Sequence, residues 1–148
     1  MPEFIDAVVP LWPAIAAMGC LIVASGFFSA SETALFYLSH DELRAMRGGN
    51  SRERAVAALL SEPDRLLTGV LFWNLVINLT YFAVSVVVAH DLHIAGQSAA
   101  MAGVFSLLSL ILIILCGEVI PKSMAVVMRR TLATLLVWPL SAAVRAID

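Results

Sequence analysis

The sequence predicts an all-α membrane protein: three transmembrane helices, with amphipathic juxtamembrane helices on one side of the bilayer. Composition carries half of that class. Of 148 residues, 61% are hydrophobic and 14% charged, and the mean hydropathy is +0.93, far outside soluble usage. Patterning carries the other half, since three apolar stretches each reach the roughly 20 residues that a spanning helix needs. The partner implied by composition is the lipid bilayer. A formal net charge of -2 offers no basic face, so no nucleic acid is expected.

The first span is expected at about 9–38, where only Ser25, Ser29, Ser31, Glu32 and Thr33 interrupt the apolar run that starts at Ala7. Pro10 and Pro13 sit near its start, where proline costs least. Glu3 and Asp6 precede it without an early Lys or Arg, so the basic opening of a secretory signal is missing and the span is expected to stay. Ser29 and Glu32 have capping-box spacing, which predicts a kink or a restarted helix within residues 25–32.

Residues 39–65 are charged, with Arg44, Arg47, Arg52, Arg54 and Arg65 among acidic partners around a Gly48-Gly49-Asn50-Ser51 turn. Two short surface helices, Asp41 to Met46 and Arg52 to Leu60, are expected within a juxtamembrane stretch of about 40–62. Pro63 reads as the stop before the chain re-enters the membrane. The second span is expected at about 66–89, a loop at 90–97, and the third span at about 98–117. Five arginines lie between spans one and two and none between spans two and three. The positive-inside rule then puts the N-terminus outside and the C-terminus in the cytoplasm. Residues 123–146 are expected as a further juxtamembrane helix, with Trp138 as interfacial anchor. Its uncharged stretch, 131–144, is short for a span and holds Pro139, so a fourth span is the alternative. Cys20 and Cys116 lie inside apolar runs and read as packing residues. No internal repeat is visible.

The chemistry lies in the polar residues of the spans. Ser25 and Ser29 are four apart, as are Asn74 and Asn78, so each pair shares a helix face. In Gly117-Glu118-Val119-Ile120-Pro121-Lys122, a proline without an N–H would free the Gly117 carbonyl in an α-helical register. Two serines, two asparagines, that carbonyl and the Glu118 carboxylate make six oxygens from three spans, a set suited to Mg²⁺. His and Cys are missing from these faces, which argues against zinc or copper. Each residue also has a plainer reading. Ser and Asn can bond neighbouring helices, Glu118 can pair with Lys122 one turn on, and Glu32 can be a cap.

Three segments, Ser25-Gly26-Phe27-Phe28-Ser29-Ala30-Ser31-Glu32-Thr33-Ala34-Leu35, Asn74-Leu75-Val76-Ile77-Asn78 and Gly117 to Lys122, resemble the membrane domain of the CorC/CNNM (cyclin M) magnesium transporters, in the same order along the chain. The resemblance implies a homodimer with three spans per protomer, a belt of juxtamembrane helices, and an inward-open cavity holding dehydrated Mg²⁺. It implies Mg²⁺ efflux from the cell, with Na⁺ exchange as the coupling. Metal ligands would come from Ser25, Ser29, Asn74, Asn78, Gly117 and Glu118, with Pro121, Lys122, Glu32 and Ser31 in support. Which of the three serines bind, and whether Asn78 joins Asn74, stays open. Family members continue into CBS modules that bind ATP and a further small domain; after Asp148 neither is expected here. A non-transporting reading is a dimeric membrane anchor that senses the ion for such modules. Acid and base roles for Glu118 and Glu32 lack a His, Cys or metal-hydroxide partner, so no enzyme is expected.

Overall fold

The computed structural model describes residues 5, 6 and 8–147; Glu3, Ala7 and Asp148 lie outside the described residues. Every described element is helical. A 3₁₀ turn (Val9–Leu11) leads into α1 (Trp12–Phe36), followed by α2 (His40–Arg47), α3 (Ser51–Leu59) and α4 (Pro63–Ile94). Then α5 (Ala99–Ile114) passes through a π-helical turn (Leu115–Val119) into α6 (Ile120–Val127), and α7 (Arg129–Arg145) completes the order. Among the described residues three helices are long and apolar enough to cross a membrane: Val9–Phe36, Pro63–Ile94 and Ala99–Val127.

All three expected spans are present, and several boundaries move. α1 stays helical through residues 25–32, so no helix restarts there. The Ser31 hydroxyl donates to the Phe27 carbonyl at 2.7 Å, a bond that needs the helix to be continuous. Pro63 opens α4 instead of stopping the chain before it, because a first-turn residue has no intrahelical use for its N–H. The residues expected as a loop from His90 are helical to Ile94. What ends α4 is Gly96, at φ +87°. With Gly96 in that conformation, its own N–H donates to the His93 carbonyl and the Gln97 N–H to the Leu92 carbonyl, the double closure of a Schellman motif. The third span runs to Val127, so the helix expected at 123–146 begins at Arg129.

α2 and α3 each start on a capping box. Ser39 and Asn50 accept from the backbone of Glu42 and Glu53, whose carboxylates accept from the cap backbones in return. Both glutamates also face α7: Glu42 lies 3.1 Å from Arg129 and Glu53 2.8 Å from Arg130. Two capping-box glutamates thereby tie α2 and α3 to the start of α7, just past the end of the third span. The Ser39 N–H, then the Arg129 guanidinium, hold the Glu42 carboxyl down from 4.5 to about 2. A depressed folded pKa means the tie is complete above the ordinary carboxylate range and is lost as pH falls towards about 2. Carboxyl NMR of Glu42 in nanodiscs should therefore titrate with a midpoint near 2; a midpoint near 4.5 would show that neither contact persists.

α7 is amphipathic. Its buried residues Ala133, Val137, Leu140 and Val144 follow helical spacing along one stripe, and Trp138 on the other side is exposed. This 17-residue helix is not among the candidate spans, in keeping with a surface helix. Trp73 of α4 donates to its Ala143 carbonyl at 2.8 Å and stacks on buried Phe28, fastening α7 to the spans.

Two apolar clusters make the core. One gathers Phe28, Ala34, Leu35, Val70, Ile77, Ala125 and residues of α7; the other gathers Met18, Tyr81, Val88, Leu92 and Ile113. Along each span the polar residues singled out above fall between the two. Ser25 lies between Met18 and Phe28, Asn74 and Asn78 around Ile77 and before Tyr81, and Gly117 between Ile113 and Ala125. The molecule has a polar waist between apolar ends.

Candidate functional site

At that waist the Ser25 side chain is fully buried, and its hydroxyl oxygen lies 3.0 Å from Asn78 Oδ1, 3.2 Å from Asn74 Oδ1 and 3.4 Å from the Gly117 carbonyl oxygen. A serine has one proton to donate. Three acceptors thus converge on one hydrogen, which can satisfy only one of them at a time. Asn78 is held in this pose by its amide, which donates to Glu118 Oε1 at 3.0 Å. One turn along α1, Ser29 Oγ is buried with no hydrogen-bond partner. A buried hydroxyl left unpaired costs about 1–3 kcal/mol, and a cation would satisfy several oxygens of this cluster at once. Among the described residues no three His, Cys, Asp or Glu side chains gather, so the donor set is neutral oxygen with one carboxylate.

Close approach of α1 to the third span brings the carbonyl in. A Cβ on Gly117 would lie 3.0 Å from Ser25 Oγ, and one on Gly26 would lie 3.1 Å from Pro121 Cγ. The backbone here corrects the expected register. The Ile120 N–H donates to the Leu115 carbonyl, five residues back, so in this turn the donor that Pro121 lacks is owed to Cys116, not to Gly117. The Cys116 oxygen also faces α1, 3.5 Å from where a Gly26 Cβ would stand. The π turn aims two consecutive carbonyls at the first span, and Gly117 is the one that reaches Ser25.

Of the ten expected site residues, the waist collects Ser25, Asn74, Asn78, Gly117 and Glu118, with Pro121 packed beside them. Ser31 is occupied by its own helix. Lys122 does not pair with Glu118 as the plainer reading had it; its Nζ lies 3.6 Å from Glu32 Oε2. That ion pair borders a cavity of about 470 Å³ lined also by Thr33, Tyr37 and Ser123, one turn beyond Glu118. Neutralising Lys122 with Glu32 leaves the Glu118 charge for the waist. Thr68 and Thr80, polar residues of the second span, bond their own helix carbonyls. Cys20 and Cys116 are free and exposed rather than packed.

Of a further polar group, Tyr81, Ser85 and Ser109, all buried, the sequence singles out only Ser85, as one of the polar residues of the second span. Their positions extend the Asn74–Asn78 face by helical steps to Tyr81 and Ser85, a signal that was available in the spacing.

The sequence pattern of the Cyclin M transmembrane N-terminal domain matches residues 15–147. The chain is 34% identical over 102 residues to the UPF0053 inner membrane protein YfjD of Escherichia coli, covering 68% of this chain and 23% of that protein. It is 31% identical over 107 residues to a UPF0053 protein of Haemophilus influenzae, covering 72% of this chain and 24% of the relative. The matched stretch thus spans about a quarter of either relative. With a family pattern running through all three spans and the helix that follows them, this chain belongs to the cyclin M transmembrane N-terminal domain family.

Proposed function

We propose that the waist binds Mg²⁺ and that the domain carries it across the membrane, as efflux coupled to Na⁺, in a homodimer whose N-terminus is outside and C-terminus cytoplasmic. The observation that carries this reading is the acceptor surplus at Ser25. Neutral oxygens with the single Glu118 carboxylate suit a hard cation and hold it weakly enough to let it leave. Ser29, buried and unpartnered, is the further oxygen nearest to hand along α1. The cavity at Glu32 and Lys122 lies towards the juxtamembrane helices and is the cytoplasmic approach. ATP would act only through CBS modules outside this chain, and the domain itself is not an enzyme.

Calorimetry of the purified chain tests the site. Mg²⁺ binding should be saturable, and Asn74→Ala should weaken it at least about tenfold, or about 1.4 kcal/mol. Binding that survives this substitution would take the ion off the second span. Vesicle flux then separates carriage from sensing. The second reading, an ion-sensing anchor, draws support from the Glu42–Arg129 and Glu53–Arg130 ties, which join α2 and α3 to the start of α7, two residues past the end of the third span. It requires binding without flux.

A further inference from the structure

The three hydroxyls at Tyr81, Ser85 and Ser109 lie on the side of the waist away from the Glu32–Lys122 cavity, and their protons can be traced. Tyr81 donates to the Ser109 carbonyl at 3.0 Å, and Ser109 Oγ donates to the Tyr81 hydroxyl at 2.9 Å. Ser109 has then spent its only proton, so in the 2.8 Å contact between Ser85 Oγ and Ser109 Oγ the donor is Ser85. The chain runs Ser85 to Ser109 to Tyr81 and ends on a backbone carbonyl. Every proton is used within the group.

This contrasts with the waist one turn away, where acceptors outnumber protons. A cluster with all its donors spent internally gains little from a cation, which would have to break it. It does bind two helices firmly, because hydroxyls in an apolar setting have no water to turn to. Its setting is apolar as well: Tyr81 is fully buried and packs with Met18, Val88, Leu92 and Ile113, and the cavity of about 560 Å³ beside Tyr81 and Ser109 is lined almost wholly by apolar side chains. Ile113 stands midway between Ser109 and Gly117 on the third span, touching the waist from this side.

We propose that the Ser85–Ser109–Tyr81 chain is the latch that seals the waist on the side opposite the Glu32–Lys122 cavity, and that it must part for an ion to leave that way. The proposal rests on the transport reading, since a sensor needs no second exit. The polar face on α4 is then one path in two states. Asn74 and Asn78 hold the ion, while Tyr81 and Ser85 line the next section of path only when their bonds to the third span have broken.

Ile113→Cys, in protein that also carries Cys20→Ala and Cys116→Ala, reports the seal through its rate of labelling by a charged methanethiosulfonate in proteoliposomes. In the intact latch labelling should be slow. Tyr81→Phe, which removes the hydroxyl and keeps the ring, should speed it at least tenfold, and Ser109→Ala, which leaves the carbonyl bond, should speed it less. Mg²⁺ affinity by calorimetry should stay within threefold for both. Labelling unchanged in both variants would reduce the group to helix packing and overturn the latch, as would Tyr81→Phe abolishing Mg²⁺ binding. If Tyr81→Phe does not fold, Ser85→Ala takes its place with the same two readouts. Failure of the ion site is seen separately: faster labelling in Tyr81→Phe, together with undiminished binding in Asn74→Ala, would keep the latch and discard the assigned site.

Discussion

Glu118→Gln should weaken Mg²⁺ binding at least about a hundredfold, or about 2.7 kcal/mol, with the helical signal unchanged. Glutamine keeps an oxygen where Asn78 now donates at 3.0 Å, so the pose of Asn78, and through it the convergence on Ser25, has no reason to change. What goes is the charge. A unit pair 4 Å apart near a protein surface interacts by about 4 kcal/mol, and a divalent ion doubles that. Because Glu118 is only half-buried, solvent screens a large part, and the hundredfold figure allows for it. Calorimetry at two salt concentrations checks the cause, since the difference between wild type and variant should narrow as salt rises. A dissociation constant within threefold of wild type would make the carboxylate a structural partner of Asn78 and nothing more.

The residues of the waist were legible before the fold because helices convert spacing into faces. Ser25, Asn74 and Asn78 stand at positions where a polar group in lipid must find a partner, and Glu118 is a carboxylate inside an apolar run. The spans were legible for the same reason of composition. Boundaries were less so, because they depend on a few backbone bonds: Gly96 ends α4 through two hydrogen bonds that no hydropathy reading contains, and Pro63 opens a helix although its sequence context reads as a stop. The π turn is harder still. Pro121 announces that one carbonyl will lack its donor, but which carbonyl depends on whether the chain winds by four or five residues there, and packing of Gly26 against Pro121 enters that choice. Long-range ion pairs were hidden too. Lys122 has Glu118 one turn away in sequence and Glu32 across a helix interface, and only the packing of α1 on α6 decides for the second. Ser39 and Asn50 followed by Glu42 and Glu53 were readable capping boxes, whereas their glutamates' second use, towards Arg129 and Arg130, was not.

Gly117→Ala should abolish measurable Mg²⁺ binding and destabilise the fold. The new Cβ would meet Ser25 Oγ at 3.0 Å, Ile113 Cδ1 at 3.1 Å and Ser25 Cβ at 3.2 Å. Ile113 can swing its terminal methyl away; Ser25 sits on the backbone of α1. Either its hydroxyl turns from Asn74 and Asn78 or the first and third spans separate by a few tenths of an ångström, and overpacking of this kind costs about 1–3 kcal/mol. Gly103→Ala, in the same span with nothing within 4 Å of the added carbon, is the control. It should leave binding intact and raise stability slightly, since alanine is favoured over glycine within a helix by about 1 kcal/mol. The double variant Ser25→Ala/Gly117→Ala separates shape from chemistry. With the hydroxyl gone the shortest contact disappears, so thermal stability should recover in part, while binding stays lost because Ser25 and its convergence of acceptors are gone with it. If Gly117→Ala matches Gly103→Ala in both melting and binding, α1 does not touch the third span at this glycine, and the carbonyl has no place in the site.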